Sequence, residues 1–445
     1  SFVFTEVLPK NDVLTFGKVR GSWAQVGKDA SPYSTNTYLW GIQVVNGEFQ
    51  GVGNSWTGGS PYLLPEIQTS WEVGAELKFF NGRFGIDYTY YHSVTGNQIA
   101  APRLCQSTGY IFLTINSGSV KNQGMELMIT GTPVDTKDFT WDLVLNMSGN
   151  RGTLGDFVEG VDYFYVTDAQ IGGVKAASIP NGGYFLGMTG NYWLRETEKV
   201  QDVDKKTGEL KVDKDGNPVM VDKEIEGGRY QIDAATGLYK LQGNTTNVVG
   251  NREPKLIGGL TSNFRWKDLS FSFLFDFRFG GDIYNGTQYY LTSLGQSMRT
   301  LENNRTSVTV EGVDSKTMEP VSITYKAGES YNVNGSVRSG EYMIQSYWSN
   351  YCSNAYNFIQ SVNWLRLRNI NLSYDFSNLI KGQDVLKGLV ATFTANNLFY
   401  VTNYVGGMDP EVSMGSGTGG SGSVGIDYCG VPSQRSFSFG LNLTF

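Results

Sequence analysis

The sequence predicts an all-β fold, the wall of a transmembrane antiparallel β-barrel of about ten strands with long loops at one end. Three observations carry that reading. Short segments alternate apolar and polar residues with period two, as strands with one lipid face and one wet face must. Charged residues are 17% of the 445, against roughly 25% in soluble domains, while 9 Trp, 26 Tyr and 25 Phe supply material for aromatic girdles. Mean hydropathy is −0.26 and no run of about 18 apolar residues occurs, which excludes a membrane-spanning helix.

The last segment is the clearest. From Arg435 to the terminus, Phe437, Phe439, Leu441, Leu443 and Phe445 share one face, and Ser436, Ser438, Gly440, Asn442 and Thr444 share the other. These apolar residues form the expected C-terminal barrel-assembly strand. Residues 70–80 set Trp71, Val73, Ala75, Leu77 and Phe79 against Glu72, Glu76 and Lys78, and residues 83–93 set Phe84, Ile86, Tyr88 and Tyr90 against Asp87 and Thr89. Asn81-Gly82 joins the two as a hairpin signal. Residues 138–148 and 270–280 alternate in the same way, the second with Phe271, Phe273, Phe275, Phe277 and Phe279 on one face. Weaker runs lie at 13–25, 120–131, 256–267, 362–376 and 387–399.

Strand 362–376 changes phase: Leu365 and Leu367 are odd-numbered, whereas Ile370, Leu372, Tyr374 and Phe376 are even. Either a β-bulge near Arg368–Asn369 restores the register, or the two leucines face inward. Arg366 and Arg368 pair with inward acids in one orientation and reach lipid phosphates in the other.

Short and long connections alternate strictly, the long ones at roughly 26–69, 94–119, 149–255, 281–361 and 400–433. Outer-membrane barrels place short turns in the periplasm and long loops outside. With Phe445 periplasmic, the strand at 13–25 runs outward. Residues Ser1–Phe4 then read as the tail of a strand whose beginning lies upstream. No signal peptide is visible in SFVFTEVLPK, so Ser1 is not expected to be the natural start. An open sheet in lipid leaves edge hydrogen bonds unsatisfied, so the strands are expected to close within a larger barrel or on themselves as a small one, and the strand tail at Ser1–Phe4 favours the first.

A net charge of −7 without a basic stripe excludes nucleic acid. One histidine, His92, and three scattered cysteines (Cys105, Cys352, Cys429) give no catalytic constellation, disulfide framework, metal site or cofactor site. Asp213-Lys-Asp-Gly-Asn217 has the outline of a calcium loop but lacks the downstream bidentate Glu, which favours a hairpin turn.

Several stretches, in order along the chain, resemble the C-terminal half of SusC/RagA-type TonB-dependent transporters of Bacteroidota. They are Lys18–Trp23, Asn116–Glu126, Phe279–Asn285, Trp364–Tyr374, Ala395–Phe399 leading to Gly407–Glu411, and the closing Arg435–Phe445. The resemblance implies a barrel of roughly 22 strands of which residues 1–445 hold about the last ten. It also implies a plug and TonB-contact segment upstream, and a SusD-like surface lipoprotein over the mouth. Substrates of such pairs are oligosaccharides or peptides. A siderophore or cobalamin receptor, a split half-barrel and an adhesin-like barrel remain alternatives. The family's acidic loop ahead of Pro254 is reduced here to Asp233, so no metal site is carried over.

Ligand recognition is therefore expected from loop aromatics, which offer flat apolar faces beside polar rims. The candidates are Trp56, Tyr163, Tyr192, Trp193, Tyr347 and Trp348, with Tyr62, Phe164, Tyr165, Tyr289 and Tyr290 in the same loops. The expected partners are outer-membrane lipid, TonB, a surface lipoprotein and a glycan or peptide.

Overall fold

A computed structural model describes all residues except 10, 46–47, 103, 158–163, 180–182, 205–207, 244–246, 383–384 and 412–423. One large antiparallel sheet runs in strict chain order through β1 (Phe2–Val3), β2 (Leu14–Lys28), β3 (Glu66–Phe79), β4 (Phe84–Gly96), β5 (Ser119–Asp135) and β6 (Phe139–Gly155). It continues through β7 (Leu256–Trp266), β8 (Leu269–Phe279), β9 (Trp364–Asp375), β10 (Gly388–Thr402) and β11 (Ser436–Thr444). All the alternating segments read from the sequence are strands of this sheet. Several run further than expected at the long-loop end, β6 as far as Gly155. There backbone pairing continues although the apolar outer face has ended, and the apolar pair Val120 and Leu154 is buried on the inner face instead.

Paired residues of an antiparallel ladder share a face, so the register sorts the side chains. One row across the sheet reads Leu77, Ile86, Ile129, Leu145, Leu260, Phe275, Leu367 and Phe399. The adjacent row, on the opposite face, reads Lys18, Glu76, Asp87, Met128, Asn146, Gly259, Asp276, Arg366 and Tyr400. The apolar face carries aromatic clusters at both ends. Trp71 packs on Tyr90 and stacks on His92 at the long-loop end, and Trp141 stacks on Phe264 near the short turns. Ser262 lies among these apolar residues, and its hydroxyl accepts the Trp141 indole N–H at 2.9 Å.

The phase change in β9 is a bulge. Leu367 pairs with Phe275 and Asn369 with Leu274, leaving Arg368 as the extra residue. Leu365 and Leu367 consequently lie on the apolar face with Phe277 and Phe275, and the inward placement of these leucines is ruled out. Of the expected strand tail at Ser1–Phe4, Phe2–Val3 pairs with Val19 and Lys18, and the chain then turns into a short 3-10 helix at Phe4–Glu6.

Burial is concentrated in the long connections. They carry helices α1 (Gly286–Ser293) and α2 (Gly340–Cys352) and several small sheets, and among the described residues they pack into two larger apolar cores and a small one of Ile283, Val362 and Tyr404 with Trp364. One core gathers Ile171, Val174, Met188, Tyr284 and Phe358; the other gathers Ile232, Val310, Tyr325, Met343 and Ile344. The loops thus form a folded layer over one end of the sheet. The Asp213 stretch is a hairpin turn: Val212 bridges Pro218, and the Asp213 carboxylate accepts the N–H groups of Asp215 and Asn217.

Candidate functional site

Two helices meet in the loop layer and enclose a cavity of about 900 Å³. Helix α1 starts at Asn285, whose side chain accepts the N–H of Gln288, and α2 starts at Ser339, which accepts from Tyr342. Residues four apart share a helix face, and α2 uses this twice. Ile344, Trp348 and Cys352 form one stripe and Gln345, Ser349 and Ser353 the next, and both line the cavity. Met343, Tyr347 and Tyr351 of the same helix take part in the apolar packing, as Ile344, Trp348 and Cys352 do, without lining the cavity. Helix α1 contributes Tyr289, Thr292 and Ser293.

Two backbone features shape the walls. Gly172 has φ of 57°, and a Cβ there would lie 2.4 Å from the Tyr284 hydroxyl and 2.6 Å from the Tyr289 ring. Only glycine fits that turn. Asn303, Asn304 and Arg305 are consecutive left-handed residues (φ 48°, 51° and 62°), a conformation uncommon for arginine. The turn brings the Arg305 guanidinium back to the carbonyl of Gly295 on the rim. Burial pushes the Cys352 thiol up to about 11, so it lines the cavity as a neutral group.

Trp348 lines this cavity, as does Tyr289. Tyr347 packs against Trp348 and lies at the edge of the second loop core. Trp193 is 5% exposed, with its ring 4.2 Å from Tyr239 and 5.1 Å from Tyr230. Tyr192 is half-buried against the first core and Tyr356. Trp56 is exposed in a different loop pair, where its carbonyl accepts the N–H groups of Ile111 and Phe112. Tyr163 lies outside the described residues. Phe437, Phe439, Leu441, Leu443 and Phe445 are exposed on the outermost strand, with Phe393 of β10 against the first two. Gly172, Asn191, Arg305 and Ser349 went unrecognised in the sequence. The four-residue spacing of Ile344, Trp348 and Cys352 is the one signal that could have shown a helical face there.

A second constellation lies on the polar face. Arg366 and Arg368 both turn inward and meet the loop after β10. Arg366, 2% exposed, pairs with Asp409, 1% exposed, and its Nε lies 2.7 Å from Glu411. Arg368 bridges Asp276 on β8 and Glu411. Burial opposes ionisation of Asp409. The N–H of Glu411, the Ser433 contacts and Arg366 outweigh it and hold the carboxyl below its usual range. Further along the same loop, Asp427 is buried and accepts from Thr287 of α1 (2.8 Å) and the Tyr404 hydroxyl (2.7 Å). One loop is therefore tied both to the inner wall and to the helix beside the cavity.

A sheet with one continuous apolar face, one ion-paired face and a folded layer over one end is the geometry against which the comparisons stand. The family described as "TonB dependent receptor-like, beta-barrel" matches residues 4–248. The chain belongs to that family. TonB-dependent receptor P26 of Formosa agariphila is 27% identical over 455 aligned residues, covering 97% of this chain and 40% of the relative. TonB-dependent receptor SusC of Bacteroides thetaiotaomicron is 27% identical over 383, covering 85% of this chain and 32% of its own. The RagAB peptide transporter has the same fold, with a TM-score of 0.65 at 19% identity over all of this chain and 42% of that one. The SusC/RagA-type resemblance of the sequence motifs is thus supported, and the chain spans between 32% and 40% of these curated relatives' length. In a TonB-dependent receptor barrel the apolar face is the lipid face, and the membrane is the outer membrane.

Proposed function

We propose that the chain forms the C-terminal wall and outer loops of a TonB-dependent importer that captures an oligosaccharide at its long-loop end. The short turns face the periplasm, the C-terminus with them, and the long loops face the medium. The remaining strands, a plug and a TonB-contact segment belong to parts of the transporter upstream of these residues. A SusD-like surface lipoprotein caps the loops and releases substrate inward when TonB displaces the plug. The resemblance of the sequence motifs to SusC/RagA-type transporters motivates the lipoprotein and the import direction, and the match to SusC over most of this chain supports that resemblance.

The observation that carries the proposal is the loop cavity. Two aromatic side chains, Tyr289 and Trp348, stand beside hydroxyl and amide groups of Thr292, Ser293, Gln345, Ser349 and Asn191. Arg305 is the one charged side chain among its described lining residues. Neutral hydrogen-bonding groups around apolar rings suit a polyol ligand better than a peptide with charged termini. The test is binding of defined oligosaccharides and peptides to the purified transporter and to its Trp348→Ala variant, with Trp56→Ala as the control from another loop. Loss of an aromatic contact worth about 1.4 kcal/mol weakens glycan binding roughly tenfold. Equal glycan affinity in the Trp348 variant, or selective binding of peptides or siderophores, would exclude this cavity as a glycan site.

A further inference from the structure

We propose that Lys121 and Arg151 bind a phosphate of outer-leaflet lipopolysaccharide on the lipid side of the barrel. Along the paired ladder of the large sheet, nearly every apolar-face position is aliphatic, aromatic, small or neutral polar. Among the described residues, Lys121 on β5 and Arg151 on β6 are the only Lys, Arg, Asp or Glu on that face. The ladder sets Gln123 opposite Arg151 and Lys121 opposite Thr153. The two cations are thus diagonal neighbours, about 7–8 Å apart at the backbone. Both are exposed, and among the described residues neither forms an ion pair.

Their height on the strand matters as much as their charge. Gln123 and Arg151 continue the row of Trp23, Trp71 and His92, the aromatic cluster at the long-loop end. From Phe139, where the apolar face of β6 begins, Arg151 is twelve residues on. At about 3.4 Å per residue and a tilt of about 40° this is roughly 31 Å along the barrel axis, beyond an apolar band of about 25 Å. A cation just past the aromatic girdle stands at headgroup level, where phosphate is the complementary group. Glu253 interacts electrostatically with Arg151, but its carboxylate accepts the Asn150 side chain and the Gly152 N–H.

The proposal rests on the long loops facing the medium. The test uses transporter purified from outer membranes in mild detergent, with native mass spectrometry of added lipid A, dephosphorylated lipid A and phosphatidylglycerol. Phosphorylated lipid A is expected to bind in preference to the other two. Two surface cations, each worth roughly a fivefold factor, make K121Q/R151Q about 30-fold weaker, whereas K121R/R151K retains binding. Heat-modifiable migration on gels confirms that each variant is folded. Equal binding of dephosphorylated lipid A, preference for phosphatidylglycerol, or unchanged affinity in the glutamine variant overturns the site. Whole-cell labelling of exposed Cys105 and Cys429 with an impermeant maleimide reads the orientation separately. Unlabelled thiols alongside intact phosphate binding would overturn lipopolysaccharide as the source while leaving the phosphate site standing.

Discussion

Replacing Asp409 by alanine should release the loop that follows β10 from the inner wall without unfolding the barrel. Arg366 and Asp409 are 2% and 1% exposed, so solvent screens their pairing little. Removing one partner of such a pair costs about 3–5 kcal/mol, because the other charge remains buried. Glu411 still lies 2.7 Å from the Arg366 Nε, which places the cost near the lower end, about 3 kcal/mol. Proteolysis of a briefly opened segment follows the population of the open form, so that loss corresponds to cleavage about a hundredfold faster. Chymotrypsin provides the assay: Tyr404 lies in the loop, is 7% exposed and is protected while the loop is docked. Arg366→Met should act similarly, and the double variant should cost less than the sum, with a coupling of about 2 kcal/mol. The pH dependence has a definite sign. The folded Asp409 carboxyl titrates below its ordinary value of about 3.9, so its stabilisation is complete above that pH. It is lost as pH falls through the folded value. Unchanged cleavage in the alanine variant, or additive single effects, would refute the latch.

Three further outcomes follow from the geometry. Phe273→Arg places a charge midway along the apolar face of β8 and should cost about 2–4 kcal/mol. It should lower the assembled fraction on heat-modifiability gels, whereas Ser272→Arg, on the opposite face, should assemble normally. Cys352, with its thiol pushed to about 11, holds roughly 200-fold less thiolate at pH 8 than an ordinary cysteine and should alkylate correspondingly slowly. Exposed Cys105, whose thiol the Ser107 hydroxyl and N–H hold below its usual value, should react first when labelling is followed by mass spectrometry. Gly172→Ala should drive a methyl against the Tyr284 hydroxyl and the Tyr289 ring, costing about 1–3 kcal/mol and weakening binding in the cavity, as titration calorimetry would show.

The sheet was legible because lipid on one side and water on the other impose a period-two code that needs no tertiary information. The run from Phe271 to Phe279 and the closing run to Phe445 could be read from spacing alone. Even the bulge at Arg368 left a trace, as a phase change between Leu367 and Ile370 that only one extra residue could reconcile with an apolar outer face. The loop layer obeys no such code. Its cores join residues as distant as Ile171, Tyr284, Phe358 and Ile426, and nothing local to any of them announces the others. Aromatic residues in these loops were therefore legible as important but not as lining or packing. Trp348 and Tyr347 are adjacent in sequence and both pack on the second core, yet only Trp348 also borders the cavity, because a helix turns successive side chains by about 100°. The arginines of β9 show the same limit. Arg366 and Arg368 each had two admissible orientations, and the choice was made by Asp409 and Glu411, some forty residues downstream. Lys121 and Arg151 are the converse case. Their face follows from alternation, but their neighbourhood follows only from the register of β5 on β6, which no reading of either strand alone contains.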